Sequence, residues 1–463
     1  MVNINLLEGD CLDKLKELDD NSVDSIVTDP PYGLSKEPDM MKVLKHWMNG
    51  DDYVHNSKGF MGKSWDSFVP NPNVWKECLR VLKPGGHMVA FFGTRTYDMG
   101  VLSIRIAGFE VRNQLAWAFG SGFPKSMAID KAIDKHFNAE RRVIGKREHP
   151  TLKDKSKINR QEQTQFHANN TIKDEWDITE PATDEAKQWD GWGTDVKPAF
   201  EPIVLARKPL SEKTIAANVL KHGTGGLNID ASRVPTDGDK LGGGSKDKHN
   251  FADKEGWDRP WMHDEEKVKQ NIEDRLAKVE KAEQLGRFPA TLIHDGSEEV
   301  VSLFPESKGQ QGDVKGTEVS HTGQNGIYGE YGRVGSQKRG DTGSAARFFY
   351  CAKASKSDKN EGMPDGTKNT HVTVKPYNLM KYLVTLVTPP NGTVLDPFMG
   401  SGSTGKAAVR CGFNFVGIEL DPDYLQIAKA RIEYARDNPE ETKETKKKKT
   451  TDEKTDLPSD LFE

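Results

Sequence analysis

Hydrophobic and polar positions follow two patterns near the N-terminal end of the chain. Short apolar runs typical of buried strands alternate with segments whose apolar residues recur every three or four positions, as on one face of a helix. The predicted strands are Val23 to Val27, His87 to Phe92 and Glu110 to Phe119, and the predicted helices are Asp13 to Leu18, Pro72 to Leu82 and 97 to 107. This alternation predicts an α/β fold with a mostly parallel sheet.

The same alternation returns near the C-terminal end. There the predicted helices are Tyr377 to Val387, Thr404 to Cys411 and Pro422 to Ala435, and the predicted strands are Gly392 to Leu395 and Phe413 to Leu420. In the middle of the chain, Pro202 to Ala206 predicts one more core strand and Glu265 to Gln284 a charged helix. The two patterned ends are therefore expected to form two halves of one doubly wound domain.

Polar stretches separate these halves. Residues 34–70 have no period and predict a loop, and Lys83 to Gly86 predicts a turn. The charge run from 437 onward lacks core-forming residues and predicts a disordered tail. We therefore divide the chain into six segments. They are a first half-core (1–137), a polar insertion (138–190), a core strand segment (191–209), a polar middle region (210–345), a second half-core (346–436) and a tail (437–463).

Composition agrees with a diluted core. The chain has 463 residues, of which 35% are hydrophobic and 30% are charged, which is too polar for one compact globule of that size. No apolar run approaches the roughly 18 residues of a membrane span, and the start is acidic without a long apolar stretch, so we expect a cytoplasmic protein with no membrane partner.

The 4 cysteines form no C-x-x-C pair, which predicts reduced thiols and no metal site. The net charge of −5 does not itself indicate nucleic acid, although 66 Lys and Arg residues leave room for a local basic surface.

A glycine-rich loop, DPFMGSGSTG from Asp396 to Gly405, lies between a predicted strand and a predicted helix. Gly400, Gly402 and Gly405 allow close approach to a ligand, and the following helix N-terminus favours negative charge. The next strand ends at Glu419, where a carboxylate can bind a ribose diol. The loop indicates a nucleotide-containing cofactor, and by itself it leaves an NAD-type dehydrogenase open.

A second motif, Asp29-Pro30-Pro31-Tyr32, ends an N-terminal strand. Double proline makes a rigid turn at the strand end, where sites form on parallel sheets. The Asp29 carboxylate accepts N–H groups and the Tyr32 ring offers a stacking face, so the pair suits a planar amine.

Together the two motifs resemble those of the DNA amino-methyltransferases that use S-adenosylmethionine, in which DPPY is catalytic and the Phe-x-Gly-x-Gly loop binds the cofactor. The catalytic motif comes first here, as in the beta class, whose target-recognition region lies between the motifs. Gly9-Asp10-Cys11 and the segment His371 to Pro376 also resemble the family, with Val372 where the family usually has proline. The resemblance covers roughly 1–135, 190–235 and 345–435. It implies a seven-stranded-type methyltransferase sheet, permuted in order, with polar insertions that form the target-recognition region (210–345).

The resemblance also implies individual roles. Asp29 and the carbonyl of Pro30 accept the two N–H bonds of the target amine, on the turn that Pro31 stiffens, while Tyr32 stacks on the base. For the cofactor, the implied residues are Asp10 at the adenine amine, the Cys11 backbone at a ring nitrogen, Phe398 beside the adenine or methionine, Gly400 and Gly402 in the loop, Glu419 at the ribose, and Asp396 and Lys375 at the methionine ammonium and carboxylate.

The implied substrate is a base flipped out of double-stranded DNA. Asp29 before Pro-Pro-Tyr resembles the adenine-N6 branch, and cytosine-N4 stays open because both bases present an amine on the same edge. An amine of RNA or protein is a rival substrate. A DNA-binding protein without activity is a rival function, as is the dehydrogenase, which leaves DPPY unexplained. A homodimer and a cognate restriction nuclease are further expected partners.

Candidate DNA contacts lie in the middle region. The phosphate candidates are Lys213, Lys221, Arg233, Arg287 and Lys308, and the stacking candidates are Trp257, Trp261 and Phe288. We expect 34–70 to close over the flipped base and Gly120 to Lys125 to line the cleft. His222 and His294 are expected to be surface or loop residues.

Overall fold

The computed structural model describes residues 2–34, 36–55, 64–122, 126–148, 175–237, 239, 264–308, 341–355 and 357–439. These residues form two compact units, of which one is 121–199 and the other contains the described residues before 121 and from 200 onward. Trp257, Trp261, residues 123–125 and the predicted tail from 440 onward lie outside the described residues, so the expectations for them are untested.

A nine-stranded sheet forms the centre of the larger unit. In chain order the strands of the two units are β1 (Ile4–Glu8), β2 (Val23–Thr28), β3 (Leu82–Phe91), β4 (Glu110–Ala118), β5 (Val143–Glu148), β6 (Glu175–Thr179), β7 (Phe200–Arg207), β8 (Leu292–His294), β9 (Tyr350–Cys351), β10 (Thr393–Asp396) and β11 (Asn414–Glu419). The order across the large sheet is β1-β11-β10-β2-β3-β7-β4-β8-β9. Neighbours are parallel except where β7 pairs with β3 and β4.

Helices cover both faces of this sheet, which confirms the doubly wound α/β prediction. In chain order the helices are α1 (Cys11–Lys16), α2 (Met40–Asn49), α3 (Pro72–Val81), α4 (Tyr97–Ile106), α5 (Ile129–His136), α6 (Asp184–Gln188), α7 (Ile215–His222), α8 (Glu265–Leu285), α9 (Glu298–Val301), α10 (Tyr377–Val387), α11 (Ser403–Arg410) and α12 (Pro422–Asp437). Ile26 belongs to the apolar cluster that contains residues of α1 to α4, whereas its neighbour Val27 belongs to the cluster that contains residues of α10 to α12. Successive strand side chains point to opposite faces, so β2 is buried on both.

One predicted loop contains a helix. Residues 34–70 include α2, which begins where Asp39 accepts hydrogen bonds from the N–H groups of Met41 and Lys42 and ends at Gly50. Val43 and Trp47, four residues apart, are buried, and the ring of Trp47 lies 6.2 Å from that of Phe68. The loop prediction is wrong for this helix because its apolar face is carried by only a few residues in a polar stretch.

The predicted turn at Lys83 to Gly86 lies inside β3. Val23 of β2 pairs with Leu82, but Ser25 pairs with His87, so the intervening residues form a bulge and the ladder then resumes. The amide of Gly85 donates to the carbonyl of Lys208 at 3.1 Å. This backbone partner keeps the segment on the sheet, and the turn prediction is wrong in this respect.

The smaller unit, 121–199, is built around one arginine. Arg141 contacts Asp130 at 2.8 Å and Asp134 at 2.5 Å, and β5 and β6 pair antiparallel. Burial acts to raise the pKa of Asp134, but hydrogen bonds from Ala182, Thr183 and Arg141 lower it to about 2. Helix α5 belongs to this unit through these contacts, although the sequence division placed it in 1–137. None of the helices in the described ranges has the length and apolar character needed to cross a bilayer.

Candidate active site

The two motifs meet at the carboxyl edge of the sheet. Strands β2 and β10 are parallel neighbours, and each ends where a motif begins. The hydroxyl of Thr28, the last residue of β2, donates to Oδ1 of Asp396, the last residue of β10, at 2.6 Å. Sheet pairing therefore places the DPPY turn directly beside the glycine loop.

The DPPY turn is held by side chains that sequence reasoning missed. Asp66 Oδ1 accepts hydrogen bonds from the amides of Tyr32 and Gly33 at 2.8 and 2.9 Å. The hydroxyl of Thr96 donates to the carbonyl of Tyr32 at 2.5 Å. Pro30 is buried and the chain leaves the sheet there, as the double proline predicts. No local pattern marks Asp66 or Thr96, because their function depends on contacts between distant segments.

Both oxygens of the Asp29 carboxylate have partners. The hydroxyl of Tyr32 donates to Oδ1 at 2.8 Å, and the ammonium of Lys375 lies 2.9 Å from Oδ2. Burial, followed by the charge of Asp29, raises the pKa of Tyr32 well above its ordinary value, so the phenol stays protonated and donates. A carboxylate has about four acceptor positions, so Asp29 retains capacity for further N–H donors.

Lys375 is only 8% exposed and also lies 3.1 Å from Oε2 of Glu201. Burial acts to lower its pKa, but the carboxylates of Asp29 and Glu201 raise it above the ordinary lysine value. The resemblance implies that Lys375 lies at the cofactor methionine, and that role stays a prediction; in the structure its ammonium contacts Asp29 and Glu201. Glu201 was missed, although an acidic residue at the start of a buried strand was the available signal.

The glycine loop turns back onto Glu419. The amide of Gly400 donates to Oε2 of Glu419 at 2.7 Å, and the amide of Asp421 donates to Oε1 at 2.9 Å. Gly400 and Gly402 have φ of +54° and +79°, which disfavour any side chain. Burial raises the pKa of Glu419, and it raises that of Asp396 to about 6.

His371 adds a ring next to this loop. Its Nδ1 lies 2.7 Å from the carbonyl of Thr373 and 3.3 Å from the amide nitrogen of the same residue. A Cβ built on Gly400 would lie 2.8 Å from His371 Nε2, which shows how closely the loop approaches the imidazole. Burial lowers the pKa of His371, which favours the neutral ring.

The other predicted cofactor residues lie along the same edge. Asp10 accepts from the amide of Leu12 at 2.9 Å and so begins α1, whose first residue is Cys11. Burial raises the pKa of the Cys11 thiol to about 12, so the thiol is neutral. The amide of Gly9 donates to the carbonyl of Glu419 at 2.9 Å, which places this turn next to the ribose candidate.

Phe398 completes the group. Its ring lies 6.0 Å from that of Trp75 in an edge-on arrangement. The structure thus brings Asp10, Cys11, Asp396, Phe398, Gly400, Gly402 and Glu419 to the ends of adjacent strands, beside Asp29 to Tyr32. The ammonium of Lys375 lies on the side of that group formed by Asp29 and Tyr32. The individual roles of these residues stay predictions.

The predicted DNA contacts are less uniform. Arg287 pairs with Asp239 and lies over the ring of Phe348 at 5.0 Å, so it is engaged within the fold. Lys221 pairs with Glu212, and Arg233 with Asp230. Lys213 and Lys308 are exposed.

The two histidines differ from each other. His222 bonds to Ser211 at 2.7 Å. His294 was expected on the surface or in a loop, but it is 4% exposed within β8, with Nε2 3.3 Å from the carbonyl of Ala346. That prediction is wrong because the short strand carries little pattern of its own.

The family model described as DNA methylase matches residues 23–430, which include both motifs. The chain belongs to the DNA methylase family. Over 72 residues it is 39% identical to the type II methyltransferase M.HinfI of Haemophilus influenzae, covering 16% of this chain and 20% of that protein. Over 81 residues it is 38% identical to the DNA adenine methyltransferase YhdJ of Escherichia coli (strain K12), covering 17% and 28%.

The matched segments therefore span under a third of the length of these two relatives. A solved structure, M1.HpyAVI in complex with SAM, aligns over 93% of this methylase and 98% of that chain, with 15% identity and a TM-score of 0.35.

Proposed function

We propose that this DNA methylase transfers a methyl group from S-adenosylmethionine to N6 of adenine in double-stranded DNA. The observation that carries the proposal is the adjacency of Asp29 to the glycine loop, fixed by the hydrogen bond between Thr28 and Asp396. Family membership supports methyl transfer to DNA. The adenine assignment is supported by the similarity to YhdJ and by Asp29 as the first residue of the motif.

The carboxylates of Asp10, Asp396 and Glu419 suit the N–H and O–H donors of this cofactor, and the glycine loop beside them packs closely on α12. A Cβ on Gly402 would lie 3.0 Å from the side chains of Ala428 and Ile432, so only glycine leaves the backbone where it is. We assign the ribose to Glu419, the adenine to Asp10 and the Cys11 amide, and the methionine ammonium to Asp396. When bound, the cofactor supplies an electrophilic methyl group on a sulfonium, whose sulfur leaves as a neutral thioether.

The chain's own residues then act on the amine. The lone pair of an aryl amine is delocalised into its ring. Asp29 and the carbonyl of Pro30 accept the two N–H bonds and so favour a pyramidal nitrogen whose lone pair faces the methyl group. Tyr32 stacks on the base, which leaves the duplex at a cost of a few kcal/mol that contacts in the pocket offset.

Nucleoside mass spectrometry of DNA tests this function. DNA from cells expressing the wild-type chain is compared with DNA from cells expressing Asp29→Asn, which keeps the size of the side chain and removes its charge. We expect N6-methyladenine only with the wild type, and unchanged cofactor binding by Asp29→Asn in calorimetry. N4-methylcytosine as the product would overturn the base assignment. Methyl transfer to RNA or protein alone would overturn the DNA substrate.

We also propose that 210–345 contains the target-recognition region. The ring of Phe288 is 65% exposed, and the guanidinium of Arg233 lies 5.6 Å from its centre, which offers a flat face beside a cation. Phe288→Ala should weaken DNA binding in fluorescence anisotropy and leave cofactor binding unchanged.

A homodimer and a cognate restriction nuclease are the other partners that we propose. Light scattering tests the dimer, and protection of methylated DNA from the nuclease tests the nuclease partner.

A further inference from the structure

Four polar groups form a closed cluster at the DPPY turn. The hydroxyl of Tyr32 lies 2.8 Å from Asp29 Oδ1 and 3.2 Å from Glu201 Oε2. The ammonium of Lys375 lies 2.9 Å from Asp29, 3.1 Å from Glu201 and 3.0 Å from the Tyr32 hydroxyl. Its three N–H donors thus have three different acceptors, so the ammonium is shared rather than given to Asp29 alone.

The antiparallel strand explains why Glu201 reaches this place. The parallel strands β2 and β10 end at the site, whereas β7 runs the other way. Its beginning, at Phe200 and Glu201, therefore lies at the same edge as their ends. Glu201 belongs to the framework of the sheet, which suits it to fix the position of a longer side chain such as Lys375.

The charge of Glu201 affects how tightly the Lys375 ammonium pairs with Asp29. Two carboxylates and one ammonium leave a formal excess of one negative charge. Without Glu201 the ammonium would have Asp29 as its only anionic partner among these four groups, and a tight pair would compete with the N–H groups of a target amine. The Lys375 ammonium also lies 5.0 Å from the ring centre of Phe91, an apolar surrounding that strengthens such pairing.

We propose that Glu201 is a positioning residue for methyl transfer: by sharing the Lys375 ammonium and the Tyr32 hydroxyl with Asp29, it keeps the Asp29 carboxylate oriented and able to accept the target amine. The excess negative charge also favours the positive charge that moves from sulfonium to nitrogen as the N–C bond forms and the S–C bond breaks. The sulfur leaves as a neutral thioether, and the extra proton on the methylated nitrogen passes to the Asp29 carboxylate, which accepts its N–H. This inference rests on the proposed function and names a residue outside its motifs.

The titration of Lys375 gives a readout that a purely structural role would not change. Burial acts to lower its pKa, and Asp29 and Glu201 together raise it. Removing the charge of Glu201 removes one raising influence and leaves the burial. In Glu201→Gln the pKa of Lys375 should therefore fall. Because the ammonium helps to orient Asp29, kcat should decline as Lys375 loses its proton, and the alkaline limb of the kcat profile should move to lower pH.

The test measures methyl transfer to DNA by the full-length chain. In Glu201→Gln we expect kcat to fall on the order of tenfold to a hundredfold, as for small misplacements of reacting groups. Cofactor Kd should stay within about twofold, the scatter expected of an untouched binding site. Glu201→Asp keeps the charge and should recover part of kcat. The matched control is Glu110→Gln, which removes an ion-paired carboxylate from Arg207 at the opposite end of β7.

The outcomes separate the two proposals. A wild-type chain that methylates no DNA overturns the proposed function. A wild-type chain that methylates DNA, with Glu201→Gln equal to Glu110→Gln in kcat and in pH profile, overturns the role of Glu201. A loss of cofactor affinity and melting temperature in both Glu201→Gln and Glu201→Asp, with no change in the alkaline limb, also overturns it, because that result describes a merely structural residue.

Discussion

Thr28 donates a 2.6 Å hydrogen bond to Asp396, a residue 368 positions further along the chain. Both side chains are buried, at 0% and 2% exposure. The bond ties the strand before the DPPY turn to the first residue of the glycine loop. A change on one side of the site can therefore reach the other side through this bond.

Thr28→Val should loosen this connection. The substitution keeps the shape of the side chain and removes the hydroxyl donor. Because hydrogen bonds to charged groups contribute about 1.5–3 kcal/mol, the free energy of unfolding measured in urea should fall by that amount. Cofactor affinity in calorimetry should fall as well. Thr388→Val is the matched control, because it removes a buried 2.8 Å bond to Ser25 away from the carboxylate and should leave cofactor affinity unchanged. Equal cofactor affinities in the two variants would contradict the connection.

Cofactor binding should depend on the protonation of Asp396. Burial raises the pKa of this carboxyl from 3.8 to about 6, so it is charged above that pH and neutral below it. If the carboxylate binds the methionine ammonium, affinity should be highest above pH 6 and should fall as the pH drops through about 6. Calorimetry across this range checks the prediction, and Asp396→Asn should remove this pH dependence.

The contribution of Asp396 to folding stability should rise as the pH falls, whereas its contribution to cofactor affinity should fall. A carboxyl whose folded pKa is raised binds its proton more tightly in the native state than in the unfolded state. Its burial therefore destabilises the fold above pH 6, and this penalty should lessen as the pH falls from about 6 towards 3.8. Unfolding free energies of the wild type and Asp396→Asn should converge over that interval. A constant difference between them would argue against the raised pKa.

Glu419→Ala should weaken cofactor binding. The carboxylate holds the amides of Gly400 and Asp421 and, in our proposal, the ribose hydroxyls. Loss of charged hydrogen bonds worth about 1.5–3 kcal/mol corresponds to roughly a ten- to hundredfold higher Kd. Glu212→Gln, on an exposed ion pair with Lys221, serves as control. An unchanged Kd in Glu419→Ala would sink the assignment.

Gly402→Ala should damage the cofactor loop beyond the cost of backbone strain. Gly402 and Gly412 have φ of +79° and +82°, so alanine is strained at both, by about 1–3 kcal/mol. At Gly412 the new methyl group meets nothing within 4 Å, whereas at Gly402 it meets Ala428 and Ile432. Both variants should lose stability in thermal melts, and only Gly402→Ala should lose cofactor affinity. An equal cofactor Kd in the two variants would show that the contact of the new methyl group with Ala428 and Ile432 does not affect cofactor binding.

Much of the fold could be predicted from local patterns. The run Tyr377 to Val387 predicts α10 because its apolar residues follow the helical period, and the apolar run Met88 to Phe91 in β3 is typical of a strand that is buried on both faces. Helix α2 could not be found in this way, since its few apolar residues stand among polar ones. Strands β8 and β9, with three and two residues, are too short to carry a period.

The amino-acid sequence alone specifies the chemical groups of the site: the carboxylate and ring of the DPPY turn, the glycines of the loop and the acid at the end of the next strand. These signals are local, since each depends on residue types within a few positions. Which of these groups lie in contact depends on the tertiary fold. Glu201 and Lys375 reach Asp29 because an antiparallel strand and a segment before α10 converge on the ends of parallel strands. Pairing between distant strands depends on the whole sheet, and no local spacing records it.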